Sequence, residues 1–191
     1  VATLVLGHGA GAGEEHPWMI RVAKGLADRG VTVVTFNFPY REAGKGAPDR
    51  PPVLEAAFQK AWTDVAGRTP GRLFAGGKSM GGRIASQVAA KGGLEPAPAG
   101  LVFFGYPLHP PAKPAQRRDA HLPAIKVPML FLSGTKDPFG TPDEFRELVT
   151  GLSRATLELF DGGDHSIQTR KKGEDLVASA IDHAARWIIG D

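Results

Sequence analysis

Apolar and polar positions alternate along this chain in blocks of two kinds. Six short β-rich runs recur: Thr3–Leu6, Val31–Phe36, Leu73–Ala75, Leu101–Phe104, Met129–Leu132 and Thr156–Phe160. Most are continuous rather than alternating, as strands are when both faces of a sheet are buried. Between them lie stripes at helical spacing. Met19, Val22, Ala23 and Leu26 form the first, stopped by Gly30. Leu54, Ala57, Phe58, Ala61, Trp62 and Val65 form the second, entered through Pro51-Pro52. Ile84, Ala85 and Val88 precede Gly92-Gly93, and Phe145, Leu148 and Val149 precede Gly151. Leu176, Val177, Ala180, Ile181, Ala184 and Ile188 form the last stripe. Strand and helix therefore alternate, which predicts an α/β fold: a three-layer sandwich whose mostly parallel six-stranded sheet is covered by helices on both faces. The connection from Gly105 to Val127 holds five prolines and no long periodic stretch. An irregular crossover is expected there, with one helical turn near Arg117–Leu122.

The 191 residues suit a single domain, 1–191. A net charge of +3 is too small to argue for a nucleic-acid partner. The absence of cysteine excludes disulfides, Cys-ligated metal and thiol catalysis. No histidine pair has H-x-x-x-H spacing, so no metal is expected. The longest wholly apolar run is four residues, so no membrane span is expected, and with no signal-peptide pattern the expected location is cytoplasmic.

Ligands of open parallel sheets bind beyond the carboxyl ends of the strands. The loops in that position contain Gly7-His8-Gly9-Ala10-Gly11, Asn37-Phe38-Pro39-Tyr40-Arg41, Gly77-Lys78-Ser79-Met80-Gly81, Gly134-Thr135-Lys136-Asp137 and Asp161-Gly162-Gly163-Asp164-His165. A serine, an acid and a histidine thus follow strands, in the order Ser79, Asp137, His165. Gly77–Gly81 fits G-x-S-x-G. A strand turning sharply into a helix holds the central residue strained and exposed, and glycines on either side leave room for the turn. Ser79 is the candidate nucleophile and His165 the candidate general base. Asp137 is the acid expected to orient His165, with Asp161 as the alternative. Asp164 adjoins His165 too closely to reach round to its ring. Backbone N–H groups of Ala10 and Met80 are the candidate oxyanion donors. A phosphate-binding loop ending at Gly77-Lys78-Ser79 would need glycine at position 72, where Arg72 stands. His8 is assigned to ordering its own turn, and His16, His109, His121 and His183 to surface or packing roles. Arg41, beside Tyr40, is a candidate substrate contact: its guanidinium suits a carboxylate, while the competing reading pairs it with Glu42 or another acid.

These residues resemble the α/β-hydrolase superfamily over nearly the whole chain, and more narrowly its small, lidless dienelactone-hydrolase-like proteins. Gly76–Arg83 and Asn37–Tyr40 are similar to the hydrolase-like group named for the KANL and Tex30 proteins. The resemblance implies adjacent first and third strands, hence Ala10 beside Met80. Two features depart from it. The usual sheet begins with two further strands, so the run Thr3–Leu6 corresponds to the family's third, and the connection at 105–127 is too short and irregular for a cap domain. The cysteine nucleophile of dienelactone hydrolases proper has no counterpart here, so their substrate does not transfer. The expected activity is serine hydrolysis of carboxylic esters or related acyl substrates in a shallow, open cleft, without a cofactor. An acyltransferase using the same residues is one alternative. The other is a non-catalytic interaction domain docking through Arg117-Arg118 and Arg170-Lys171-Lys172.

Overall fold

The computed structural model describes residues 1–190. The six apolar runs form β1 (Ala2–Gly7), β2 (Val31–Phe36), β3 (Arg72–Lys78), β4 (Gly100–Phe104), β5 (Met129–Gly134) and β6 (Ala155–Phe160). They make one sheet, ordered β2-β1-β3-β4-β5-β6, with every neighbouring pair parallel. The stripes form α1 (Pro17–Ala27), α3 (Pro51–Ala66), α4 (Met80–Ala90), α5 (Pro142–Thr150) and α6 (Leu176–Ile189). A short α2 (Pro39–Glu42) forms where the sequence suggested only a loop. Four residues are too few to show a period, but Pro39 presets the first turn of this helix.

The sheet separates two apolar layers. Phe58, Trp62, Ile84, Phe103, Phe131 and Phe145 pack on the face covered by α3, α4 and α5. Met19, Val22, Phe74, Phe104, Ile181 and Ile188 pack on the other, beneath α1 and α6. Covering both faces explains the unbroken apolar runs of β1, β4 and β5, every residue of which is buried. Local chemistry agrees with the element ends. Thr141 and Glu144 form a reciprocal capping box on α5, and Gly190 closes α6 in the left-handed conformation.

The crossover at 105–127 corrects one detail. The expected turn near Arg117–Leu122 is instead a single 3₁₀ turn at Leu122–Ala124, where Pro123 lacks the N–H a longer helix would need. Side chains supplement its turn-type backbone bonds, such as Arg118 N–H to the Leu108 carbonyl at 2.8 Å. The Tyr106 hydroxyl donates to the Arg118 carbonyl at 2.7 Å, and His121 Nε2 meets Ser86 Oγ at 2.7 Å. Buried Leu108, Leu122 and Ile125 anchor the segment on the α4 side.

Consecutive strands step in opposite directions from the β1–β3 pair, so a crevice opens at the carboxyl ends of those two strands. Register sets Gly7 opposite Gly77, which brings the loop after β1 beside the turn after β3. That approach is closed to any side chain. A Cβ on Gly81 would lie 2.3 Å from the Gly7 carbonyl oxygen, and one on Gly77 would lie 2.4 Å from the Gly81 carbonyl carbon.

Candidate active site

β3 runs into α4 through Ser79, whose φ of 49° and ψ of −117° are rarely adopted by a residue with a Cβ. The turn survives because both its flanks are fixed. Ser79 N–H donates to the Phe104 carbonyl on β4 at 2.9 Å, and Arg83 N–H donates back to the Ser79 carbonyl at 3.1 Å. The strained turn lifts Ser79 above the sheet.

His165 reaches Ser79 from the loop after β6, its Nε2 lying 2.8 Å from Ser79 Oγ. Its Nδ1 lies 2.8 Å from Asp137 Oδ2, in the loop after β5. A carboxylate has no proton to give, so Nδ1–H donates to Asp137 and Nε2 accepts from the Ser79 hydroxyl. The Asp137 side chain is fully buried, and its other oxygen accepts from Phe139 N–H at 2.8 Å. The Phe139 ring stacks on His165 at 3.9 Å between centroids. Both Asp137 oxygens are thereby committed, and the imidazole is held on its edge and on its face.

The rival acids are engaged elsewhere. Asp164 Oδ1 accepts the N–H groups of Ser166 and Gln168 at 2.8 and 3.0 Å, shaping the histidine loop from inside. Asp161 accepts from the Thr135 hydroxyl at 3.3 Å.

Ala10 lines the same cleft as Ser79, and Met80 follows Ser79 as the first residue of α4. Among the described residues, neither N–H has a protein acceptor. The carbonyls of the Ala10 loop are turned inward by buried partners. His8 Nδ1–H donates to the Gly9 carbonyl at 2.7 Å while its Nε2 accepts from Phe38 N–H at 3.0 Å. Burial holds the His8 pKa below its ordinary 6.5, as suits a neutral ring that both donates and accepts. The Tyr40 hydroxyl donates to the Ala10 carbonyl at 2.8 Å.

Two further candidates are engaged by protein partners. Tyr40 is buried and supports the Ala10 loop instead of facing a substrate. Arg41 lies outside the cleft lining and pairs with Glu15 at 3.3 Å, not with Glu42. Its position at the end of the four-residue α2 turns it toward the loop that precedes α1.

The cleft over Ser79 holds about 290 Å³ and is walled by Ala10, His16, Trp18, Met19, Phe139 and His165. Most of these walls are not legible in the sequence. Met19 reads as a core residue of α1 and His16 as a surface or packing residue, and no pattern singles out Trp18. His16 in fact caps α1, its Nδ1 accepting from Trp18 N–H at 3.1 Å, and this stations it at the rim. Lys78 also lines the cleft, although it is only 9% exposed. Burial pushes its ammonium down to about 8, against the pull of Asp137 and Asp164. Among the described residues no three His, Asp or Glu side chains converge to hold a metal ion, and no helix is long and apolar enough to cross a membrane.

Residues 1–190 match the family described as the alpha/beta hydrolase domain. The chain belongs to that family. Solved structures with the same fold include Est1E from Butyrivibrio proteoclasticus with bound ferulic acid, at 14% identity and a TM-score of 0.74, covering 100% of this chain and 90% of that one. The dienelactone hydrolase of Anabaena variabilis is 18% identical, with a TM-score of 0.75 and coverage of 100% and 86%. XC6422 from Xanthomonas campestris, described as a serine hydrolase without a lid, is 19% identical, with a TM-score of 0.72 and coverage of 98% and 82%. The alpha/beta hydrolase described here likewise has no lid among its described residues; the crossover at 105–127, where the sequence left room for only an irregular segment, packs against α4. Family membership, together with the esterase and lipase neighbours, supports a hydrolase.

Proposed function

We propose that this alpha/beta hydrolase is a serine hydrolase of carboxylic esters or related acyl substrates such as thioesters and lactones. The observation that carries the reading is the unbroken relay from Asp137 through His165 to Ser79, with 2.8 Å at each step, opening on a cleft that Ala10 lines.

In this mechanism Ser79 Oγ attacks the substrate carbonyl carbon while its proton passes to His165 Nε2. Negative charge gathers on the carbonyl oxygen, where the N–H groups of Ala10 and Met80 stabilise it. The N-terminus of α4 adds its dipole to the Met80 donor. Collapse breaks the bond to the leaving group, which takes the proton back from His165. Water then attacks the acyl-enzyme, giving one proton to His165, and the acid leaves as Ser79 recovers its hydrogen. Asp137 stays ionised throughout and stabilises the imidazolium.

The small cleft favours short acyl groups, since about 290 Å³ lies near the lower end of ordinary ligand sites. Trp18, Met19 and Phe139 give it apolar walls. The test is labelling by a fluorophosphonate probe, with mass spectrometry locating the adduct. The adduct should sit on Ser79, and Ser79→Ala should abolish it and reduce ester turnover by about 10⁴-fold or more. Turnover that survives in Ser79→Ala would remove the mechanism.

A further inference from the structure

The dipeptide Lys78-Ser79 touches His165 at two places. Ser79 Oγ meets the ring, and Lys78 Nζ donates to the His165 backbone carbonyl at 2.7 Å. A buried ammonium is costly unless something nearby needs it. Here its single protein hydrogen bond goes to an uncharged carbonyl, not to a carboxylate. The face of Trp18 lies 5.7 Å from Nζ and contributes a cation–π contact. The same indole ring donates its Nε1–H to the next carbonyl, that of Ser166, at 2.9 Å. Two side chains from β3 and α1 thus hold successive carbonyls of the histidine loop.

That loop needs holding. Ile167, two residues beyond His165 and fully buried, has a φ of 56°. A β-branched residue in this region is strained, and such a conformation persists only where its surroundings over-determine it. Loss of the two carbonyl clamps would free the loop to relax and carry the imidazole off the line between Asp137 and Ser79.

We propose that Lys78 is a positioning residue for His165: its ammonium, with Trp18 on the adjoining carbonyl, fixes the strained histidine loop so that the ring bridges Asp137 and Ser79. This rests on the serine-hydrolase reading and extends it to a residue that touches no reacting atom.

The groups acting on the ammonium are few. Asp137 faces it from the loop after β5, Asp164 and His165 from the loop after β6, and α1 presents only the uncharged Trp18. Its pKa of about 8 means that the charge is present below that pH and lost above it. Reaction of Ser79 in the native protein should therefore decline at alkaline pH, where Lys78 loses its charge and its bond to the His165 carbonyl loses its charge-assisted strength.

The experiment uses Lys78→Met, which keeps an unbranched apolar stem and removes the charge. Rate constants for fluorophosphonate labelling are measured across roughly pH 6–10 in both proteins, a span that brackets the Lys78 titration. Esterase kcat and KM and the thermal midpoint are measured alongside. Displacing a catalytic group by about 1 Å costs on the order of 10²-fold, so the labelling rate and kcat should fall by that order, with KM little changed. The alkaline decline should vanish, and the thermal midpoint should not drop, because relief of the buried ammonium offsets the carbonyl left without its donor. Trp18→Phe, which loses the bond to Ser166 and trims the cleft wall but leaves Lys78 and its bond in place, should reproduce a smaller fall and keep the alkaline decline. Equal labelling rates and pH profiles in native and Lys78→Met proteins overturn this inference alone. Absence of labelling at Ser79 in the native protein overturns the serine-hydrolase reading, and this inference with it.

Discussion

The strained turn at Ser79 makes a prediction of unusual sign: Ser79→Gly should be more stable than Ser79→Ala. Both variants lose the hydroxyl and its 2.8 Å contact with His165, so the comparison isolates the Cβ. At φ 49° and ψ −117° a residue with a Cβ is strained, whereas glycine is not. Strain of this kind costs about 1–3 kcal/mol. Against that, glycine gives the unfolded chain more freedom, a loss of about 0.4–1 kcal/mol. The balance favours glycine by about 1 kcal/mol, which for a chain of this size raises the thermal midpoint by roughly 2–4 °C. Urea unfolding followed by circular dichroism should show a higher midpoint with an unchanged slope, which would place the effect in the stability of the native state. A control on the same helix reverses the sign. Ala89→Gly, in the last turn of α4 where the backbone is helical and the methyl packs on the core, should be less stable than the native protein by about 1 kcal/mol. If Ser79→Gly melts at or below Ser79→Ala, the turn stores no strain, and the account of how the fold presents its nucleophile is wrong.

Four further outcomes are expected. Asp137→Asn should preserve the site's outline but favour the wrong imidazole tautomer, lowering kcat by about 10⁴-fold, and a near-native kcat would show that Asp137 does not orient His165. Tyr40→Phe leaves the Ala10 carbonyl without its buried donor, so stability should fall by about 1–3 kcal/mol and turnover should fall for all esters; unchanged values in both assays would contradict the role given to Tyr40. Because burial holds the His8 pKa below 6.5 in the folded state, the unfolded chain takes up its proton first as pH falls, and the His8 contribution to stability is lost from about pH 6.5 downward. His8→Gln should flatten that part of the stability–pH curve relative to the native protein, and an unaltered curve would assign the acid sensitivity elsewhere. Arg41→Ala should affect neutral and carboxylate-bearing esters equally, because Arg41 serves Glu15 rather than the cleft; a selective loss on the acidic ester would restore it as a substrate contact.

The sheet, its parallel sense and the helices on both faces follow from sequence because burial on two sides leaves a local mark. Runs such as Leu101–Phe104 are apolar throughout, and stripes such as Leu54, Phe58 and Trp62 repeat at helical spacing. Ser79 was legible for a similar reason, since a strand–helix elbow constrains its neighbours to glycine within five consecutive positions. His165 and Asp137 were legible as loop residues following strands, but the sequence alone left Asp161 open as the acid. Only the fold shows which of the two acids meets the His165 ring. Strand order set the loops after β5 and β6 side by side, and Thr135 engaged Asp161 while Phe139 and His165 engaged Asp137. Tyr40, Arg41, Lys78 and Trp18 show the limit more sharply. Each lies on or beside an element that the sequence marked, yet the direction of a side chain depends on which distant carbonyl or carboxylate the fold brings within reach. For Lys78 that partner is 87 residues away along the chain, and for Trp18 it is 148. No local pattern records contacts of such separation, because they arise from packing and not from the preferences of neighbouring residues.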